Sequence, residues 1–267
     1  MKSAHFNDPV AAYDLLAAHY AGISQRRQPY LLSVEREIAA RIPARSRSIL
    51  DIGAGDGIRT VRIASQAGIR RIVLVEPSAR MSANSGDCAE VWPVRAEDVV
   101  QHCKENVGTF ESSWPHISER FDVITCLWNV LGHVAAEKRG CTLRAVAQLL
   151  NQNGRFFIDL NHRYNSRAYR IVPTCARWVR DHLLPRESNG DVLANWNVGG
   201  SSISTYGHVF THREIVRLAA AAGLELEERM IINYDDGRIQ RFASQGNLLY
   251  VFRRSSRIDS SSAPQAS

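Results

Sequence analysis

The sequence predicts a doubly wound α/β fold, and three stretches predict it. Ile49, Leu50 and Ile52 form a short apolar run of the kind a buried parallel strand needs, and Gly53, Gly55 and Gly57 follow it directly. Those glycines let the backbone turn sharply into a helix. With no Cβ in the way, they also let amide N–H groups face a polar ligand. Roughly 20 residues further on, where a doubly wound nucleotide-binding sheet carries its ribose-binding acid, Ile72-Val73-Leu74-Val75 ends in Glu76. Phe121 to Leu127 is nearly continuous in apolar residues and reads as another strand buried on both faces.

The remaining elements follow in chain order. Asp8 before Pro9 makes an N-cap and first-turn pair, and Tyr13, Leu16, Ala17 and Tyr20 then put two phenols on one apolar helical face. A second helix carries Leu31, Val34, Ile38 and Ile42 on one stripe and runs to Pro43, so residues 1–43 are expected to form a helical cap. After the glycine turn, Ile58, Val61 and Ala64 or Ser65 should face the sheet until Gly68 ends the helix. Pro77-Ser78 opens a helix of small and polar residues containing Met81, and a short strand from Glu90 to Val94 leads into Arg95-Ala96-Glu97-Asp98. Residues 99 to 120 read as a helix and then an irregular loop around Trp114-Pro115. The strand from Phe121 runs into Trp128-Asn129-Val130-Leu131-Gly132-His133. The next helix, with Leu143, Val146, Ala147 and Leu150 on one face, stops at Asn153-Gly154.

Arg155 to Leu160 is the fifth strand, and Asn161-His162-Arg163-Tyr164-Asn165 makes a dense polar cluster at its carboxyl end. Residues 163–206 are longer than the usual connection and read as a lid insertion. Within it Arg163, Arg167 and Arg170 stand at i, i+4 and i+7 as one basic helical face. Val192 to Val198, Gly199-Gly200, and Ile203 to Thr205 read as a hairpin. Tyr206 and His208 mark the return to the core. Thr211 to Glu214 is a capping box, two strands lie near 224–233 and 247–252, and the serine-rich tail 255–267 is expected to be disordered.

Composition sets the outer bounds. At 267 residues and 45% hydrophobic, one α/β domain with an elaboration fits better than two domains. No apolar run approaches the ~18 residues of a membrane span, and no secretory segment opens the chain. Five cysteines without a C-x-x-C pair suggest neither zinc site nor disulfide framework, and point to a reduced, cytoplasmic protein. A net charge of +6 permits nucleic acid or an acidic small molecule as partner without choosing between them.

The glycine spacing narrows the ligand. A dinucleotide turn wants its third glycine where this chain has Ile58. Leu50-Asp51-Ile52-Gly53-Ala54-Gly55-Asp56-Gly57 instead resembles the first motif of the class I S-adenosylmethionine-dependent methyltransferases, and the strand ending in Glu76 resembles their second. The resemblance covers roughly residues 10 to 160 plus the last two strands. It implies a Rossmann-like seven-stranded, mostly parallel sheet with an antiparallel last strand, the core being residues 44–162 and 207–254. It also implies S-adenosyl-L-methionine as cofactor, with Asp51, Gly53, Ala54 and Gly55 at the turn, Glu76 on the ribose hydroxyls, and Pro77 and Met81 beside it. The family commonly has Asp-Ala-Glu at the adenine; here Arg95 replaces the first acid, leaving Ala96 and Glu97. Leu127, Trp128 and Asn129 end the strand that should meet the reacting methyl group. The Tyr13-Asp14 to Tyr20 segment resembles the helix that often covers the methionine end, though both tyrosines could equally serve packing alone.

The chemistry then requires alignment more than catalysts, because the cofactor already carries an activated methyl group. A base is needed only if the acceptor must lose a proton; His162, His208 and His133 are candidates in that order. Tyr13, Asn161, Arg163, Tyr164, Arg167 and Tyr206 are candidates for contacting a small acceptor through N or O, the arginines suiting an acidic group. Two rival readings stay open: an RNA methyltransferase using the arginine-rich insertion, and an NAD(P)-dependent oxidoreductase.

Overall fold

The computed structural model describes residues 2–6, 8–83, 85–86, 88–106 and 120–256. The loop expected around Trp114-Pro115 and most of the expected disordered tail lie outside these residues. The described strands are, in chain order, β1 (Lys2–Phe6), β2 (Ser48–Ile52), β3 (Arg71–Val75), β4 (Glu90–Trp92), β5 (Phe121–Cys126), β6 (Leu150–Leu160), β7 (Asp191–Val198), β8 (Ser201–His208), β9 (Leu224–Ile232) and β10 (Asn247–Arg254).

Seven of them form the central sheet in the order β4-β3-β2-β5-β6-β10-β9. The neighbours from β4 to β6 pair parallel, and β10 runs antiparallel to both β6 and β9. This is the Rossmann-like arrangement expected, with the last strand inserted antiparallel. All five residues of β2 are buried. Leu50 and Ile52 pack with Val73 and Val75 into the core on one face, while Ile49 joins Leu74 and Val123 in the core on the other. Burying each such side chain is worth about 1.5–3 kcal/mol, so the middle of the sheet is the rigid frame on which the strand ends are held.

The insertion folds as anticipated into a β7–β8 hairpin with Gly199-Gly200 at its tip. Its edge is taken by β1, parallel to β8 from Lys2↔Ser201 to Phe6↔Thr205. The first residues are thus a strand, not part of a helical cap. A five-residue strand that pairs only with a segment about 200 residues away gives no local signal. The helices Pro9–Leu16, Tyr20–Gln25 and Gln28–Ala39 make up the rest of the expected cap, with Asp8 capping the first by accepting from Val10 N–H at 3.1 Å.

Three local readings need correction. In the helix Ile58–Ala67 the buried residues are Thr60, Ile63 and Ala64, and Ile58 is 48% exposed. Ala64 is buried and Val61 packs partly against the core as expected, but Thr60, hydrogen-bonded to Asp51, takes the inward place expected of Ile58. The helix Ala136–Leu149 stops at Leu149, and Asn153-Gly154 lie inside β6, because Leu150 already pairs with Phe121 across a register shift. The arginine face does not exist as one helix. Arg163 precedes the helix Ser166–Tyr169, and Arg170, with φ of 66°, breaks that helix from Ile171–Leu183. Among the described residues, no helix is long and apolar enough to cross a membrane.

Candidate active site

The carboxyl ends of β2, β3, β4 and β5 open into a cavity of about 910 Å3. It lies where the strand order turns back between β2 and β5, the place where open α/β sheets bind their ligands. Its floor is the glycine turn. Gly53 and Ala54 donate to the carbonyl of Val75 at 2.8 and 3.2 Å, docking the turn on β3. Gly53 and Gly55 sit at φ of +71° and +62°. A Cβ on Gly53 would lie 2.5 Å from Val130 Cγ1, and one on Gly55 would lie 3.1 Å from Met81 Cε. Asp51 is buried with both oxygens engaged, accepting from Thr125 Oγ1 at 2.7 Å and from Thr60 Oγ1, so it ties β2 to β5 and to the next helix.

Glu76 stands at the tip of β3. Its Oε2 accepts from Gly55 N–H at 2.9 Å and its Oε1 from Ser78 N–H at 2.8 Å. Burial pushes the carboxyl above its usual range, and the two N–H donors work against that. A carboxylate offers about four lone-pair sites, so two remain for a diol. The roof comes from the first helix, where Tyr13 faces the cavity and Asp14 accepts from Ser78 Oγ at 2.5 Å, and from Tyr20, whose ring lies 5.6 Å from that of Trp128.

The end of β5 is unusual. Trp128 and Asn129 both take left-handed backbone conformations, φ 58° and 62°, a strain on the order of 1–3 kcal/mol each. The buried Asp159 carboxylate holds them by accepting from both N–H groups, and it also accepts from Tyr30 Oη at 2.9 Å. This turn delivers His133. The ring's Nδ1 lies 2.8 Å from the carbonyl of Tyr206, so Nδ1 carries the proton and Nε2, 3.2 Å from Tyr13 Oη, accepts. Burial lowers the imidazole below its usual range and keeps it neutral. Trp196 of the hairpin packs against both rings.

Of the residues singled out from the sequence, Tyr13, Tyr20, Asp51, Gly53, Ala54, Gly55, Glu76, Pro77, Met81, Ala96, Glu97, Leu127, Trp128, His133 and Tyr206 line this cavity. The others do not. Asn129 is buried beneath it, donating to the carbonyl of His208 at 3.1 Å and accepting from Asn161 N–H at 3.0 Å. Asn161 in turn accepts from Asn247 at 2.8 Å. His208 has both ring nitrogens on carboxylates, Asp191 at 2.7 Å and Glu214 at 2.8 Å, leaving no nitrogen for a substrate. His162, Arg163 and Tyr164 line a separate cavity of about 680 Å3. There burial drops the His162 imidazole to about 4, Arg163 is buried against Glu214 at 2.7 Å and Asp181 at 3.3 Å, and Tyr164 donates to Asp181 at 2.8 Å. Arg167 is exposed.

The cavity also recruits residues the sequence did not single out. Arg59 comes from the first turn of the helix after the glycines, Asp8 and Val10 from the roof, Glu137 and Lys138 from the start of the helix 136–149, and Asp191 and Leu193 from the hairpin. Only Arg59 had a legible signal, since first-turn side chains lean back toward the turn they leave. Arg95 is paired with Asp8 at 2.7 Å and Lys138 with Glu97 at 3.0 Å.

Residues 24–229 match the family model described as a methyltransferase domain. Comparison with curated proteins finds none that matches. Among solved structures, the CcbJ methyltransferase from Streptomyces caelestis is similar over 85% of this chain and 96% of its own, with 17% identity and a TM-score of 0.58. The sugar N-methyltransferase KedS8 from a Streptoalloteichus species gives 18% identity, 90% and 92% coverage, and 0.54. The glycopeptide N-methyltransferase MtfA, solved with S-adenosylmethionine, gives 14%, 83% and 86%, and 0.53. At these identities the likeness is one of fold, and the family match supplies the activity. With its sheet order and glycine turn, the chain belongs to the methyltransferase domain family as a class I S-adenosylmethionine-dependent methyltransferase.

Proposed function

We propose that this enzyme transfers the methyl group to the nitrogen of a small-molecule amine, with His133 as the base and the cavity between the glycine turn and the hairpin as the site. The observation that carries the reading is the neutral His133 imidazole, held by the Tyr206 carbonyl and by Tyr13 over the cavity. The cofactor fits the residues present: a bare turn whose neighbours exclude a Cβ at Gly53, and a buried Glu76 with acceptor sites to spare. Its sulfonium supplies an electrophilic methyl group and leaves as a neutral thioether. Tyr20, Asp51, Gly53, Ala54, Gly55, Glu76, Pro77, Met81, Ala96, Glu97, Leu127 and Trp128 hold and shield it in this reading, with Asn129 acting from beneath.

The protein's remaining task is to present a lone pair in line and remove a proton. An ammonium is drawn in by Glu137 and Asp191, which line the cavity, Asp191 keeping its second oxygen while its first accepts from Tyr206 and meets His208; the cations Arg95 and Lys138 are already paired. It is stripped of its proton through Tyr13 and His133, and Tyr206 and Leu193 pack beside it. This replaces the acidic acceptor that the arginine-rich insertion suggested. Arg163, Arg167 and Tyr164 lie away from the cavity, as do His162 and His208. The fold neighbours described as sugar and glycopeptide N-methyltransferases are consistent with an amine. Five free cysteines support a reduced, cytoplasmic setting.

The test is release of S-adenosylhomocysteine from the purified enzyme with a panel of small amines, amino sugars and amino-acid amides included, alongside their hydroxyl counterparts. Turnover confined to the amines is the expected result; turnover only of phenols, alcohols or RNA would refute the proposal.

A further inference from the structure

We propose that the helix Ile171–Leu183 docks the protein on the surface of an anionic lipid bilayer, lying in the plane of the headgroups. This helix turns polar groups toward the protein and its apolar side outward. Thr174 is buried, and Asp181, 8% exposed, meets Arg163 at 3.3 Å and accepts from Tyr164 at 2.8 Å. Arg177 lies over the Tyr169 ring, 4.7 Å from its centre. Those contacts hold the helix down. At about 100° per residue, Ile171, Val172, Trp178, Val179 and Leu183 fall on one outward arc. Each is exposed, from 47% at Val179 to 78% at Val172, and exposed Leu184 extends the arc past the helix end. An isolated exposed apolar side chain is ordinary. A contiguous group of this size on a monomer marks a contact surface.

The charges around the arc select what covers it. From Arg167 to Arg186 the chain has five arginines and one acid, Asp181, which is turned inward. Arg167 and Arg170 precede the helix, Arg180 stands on its rim and Arg186 follows it, all exposed. An apolar arc bracketed by guanidinium groups complements a layer that is negative on top and hydrocarbon beneath, which is the interface of a bilayer containing acidic phospholipids. Arginine stems are long enough to keep their heads at the phosphates while the arc sinks between the acyl chains. A second copy fits less well. Two-fold antiparallel pairing of the helix sets each rim against itself, bringing Arg180 to Arg180 with no acid between them. Nucleic acid would meet the arginines and leave the apolar arc in water. The undescribed residues 107–119 and 257–267 adjoin β5 and β10 at the opposite end of the sheet from Leu160, where the insertion departs. With 13 residues the helix is about 20 Å long. It is too short for the roughly 30 Å hydrocarbon core, so it lies on the bilayer and does not cross it.

Flotation of the full chain tests this, with vesicles of phosphatidylcholine alone and vesicles in which phosphatidylserine is about a third of the lipid. The wild-type chain should float with the anionic vesicles, less so at high salt, and stay behind with the neutral ones. Val172→Glu and Leu183→Glu, made singly at the two most exposed positions of the arc, should each lower partitioning about 10-fold or more. Arg167→Ala and Arg186→Ala should each lower it about fivefold. All four positions are exposed, so unfolding midpoints should stay at the wild-type value. Failure of the wild-type chain to float with the anionic vesicles would overturn the proposal, and retention of single-stranded RNA in its place would give the arginines to nucleic acid. Equal flotation with both vesicles, or flotation untouched by both glutamate changes, would overturn it too. A dimer in solution that Val172→Glu and Leu183→Glu dissociate would assign the face to a second copy and overturn the bilayer as its occupant.

Discussion

Replacing Glu76 tests the centre of the site, because two effects of the change can be separated. The side chain is 7% exposed and already accepts from Gly55 and Ser78 at 2.9 and 2.8 Å. Glu76→Ala therefore does two things. It leaves two buried N–H groups without an acceptor, which lowers stability by about 1–3 kcal/mol, and it removes an ionised acceptor from the ligand, worth about 1.5–3 kcal/mol. The second term predicts roughly 10- to 100-fold weaker binding of S-adenosylhomocysteine. Glu76→Gln keeps the shape and one carbonyl acceptor, so denaturant titration should show a smaller stability loss while calorimetry shows nearly the same loss of affinity. The wild-type pH dependence runs in opposite senses for the two. Burial raises the folded-state value of this carboxyl above 4.5, so the folded chain binds a proton that the unfolded chain has already lost. The Glu76 contribution to stability then improves as pH falls through the raised value, whereas ligand affinity declines over the same interval. An alanine variant that binds S-adenosylhomocysteine within twofold of wild type would refute the reasoning.

Three further outcomes follow from the geometry. His133→Asn should cut kcat by about 100-fold or more. It should also remove an acid limb from kcat/KM that lies below pH 6.5, since burial lowers this imidazole and the base is lost only as pH falls through that depressed value. Retention of the limb in the variant would return His133 to a packing role. Glu137→Gln should raise KM for a cationic amine several-fold at low salt and little at high salt, because Glu137 is exposed and its attraction is screened; an unchanged KM would remove it from the acceptor's path. Arg163→Leu should lower unfolding stability by about 3–5 kcal/mol, since it removes the buried cation shared by Glu214 and Asp181 and leaves them only their bonds to His208 and Tyr164, whereas Arg167→Ala should leave both stability and KM unchanged. A selective rise in KM from either arginine would restore the insertion to substrate binding.

The difference between those two arginines shows how far the sequence could be read. The elements around Gly53 were legible because they are local, even though the inward face of the helix after it was not. Strand, turn, helix and Glu76 all lie between residues 48 and 76, and the physical requirement for each can be stated from its immediate neighbours. The capping box at Thr211 and Glu214 formed as expected for the same reason. Arg163, Arg167 and Arg170 looked alike because helical spacing was the available criterion. What distinguishes them is tertiary: Arg163 meets Glu214, 51 residues away, and Asp181, while Arg170 breaks the helix. The histidines sorted themselves in the same way. His162, first in the sequence ranking, bonds to the carbonyl of Ala243, and His208 is held between Asp191 and Glu214. His133, ranked last, is the one the hairpin leaves facing the cavity.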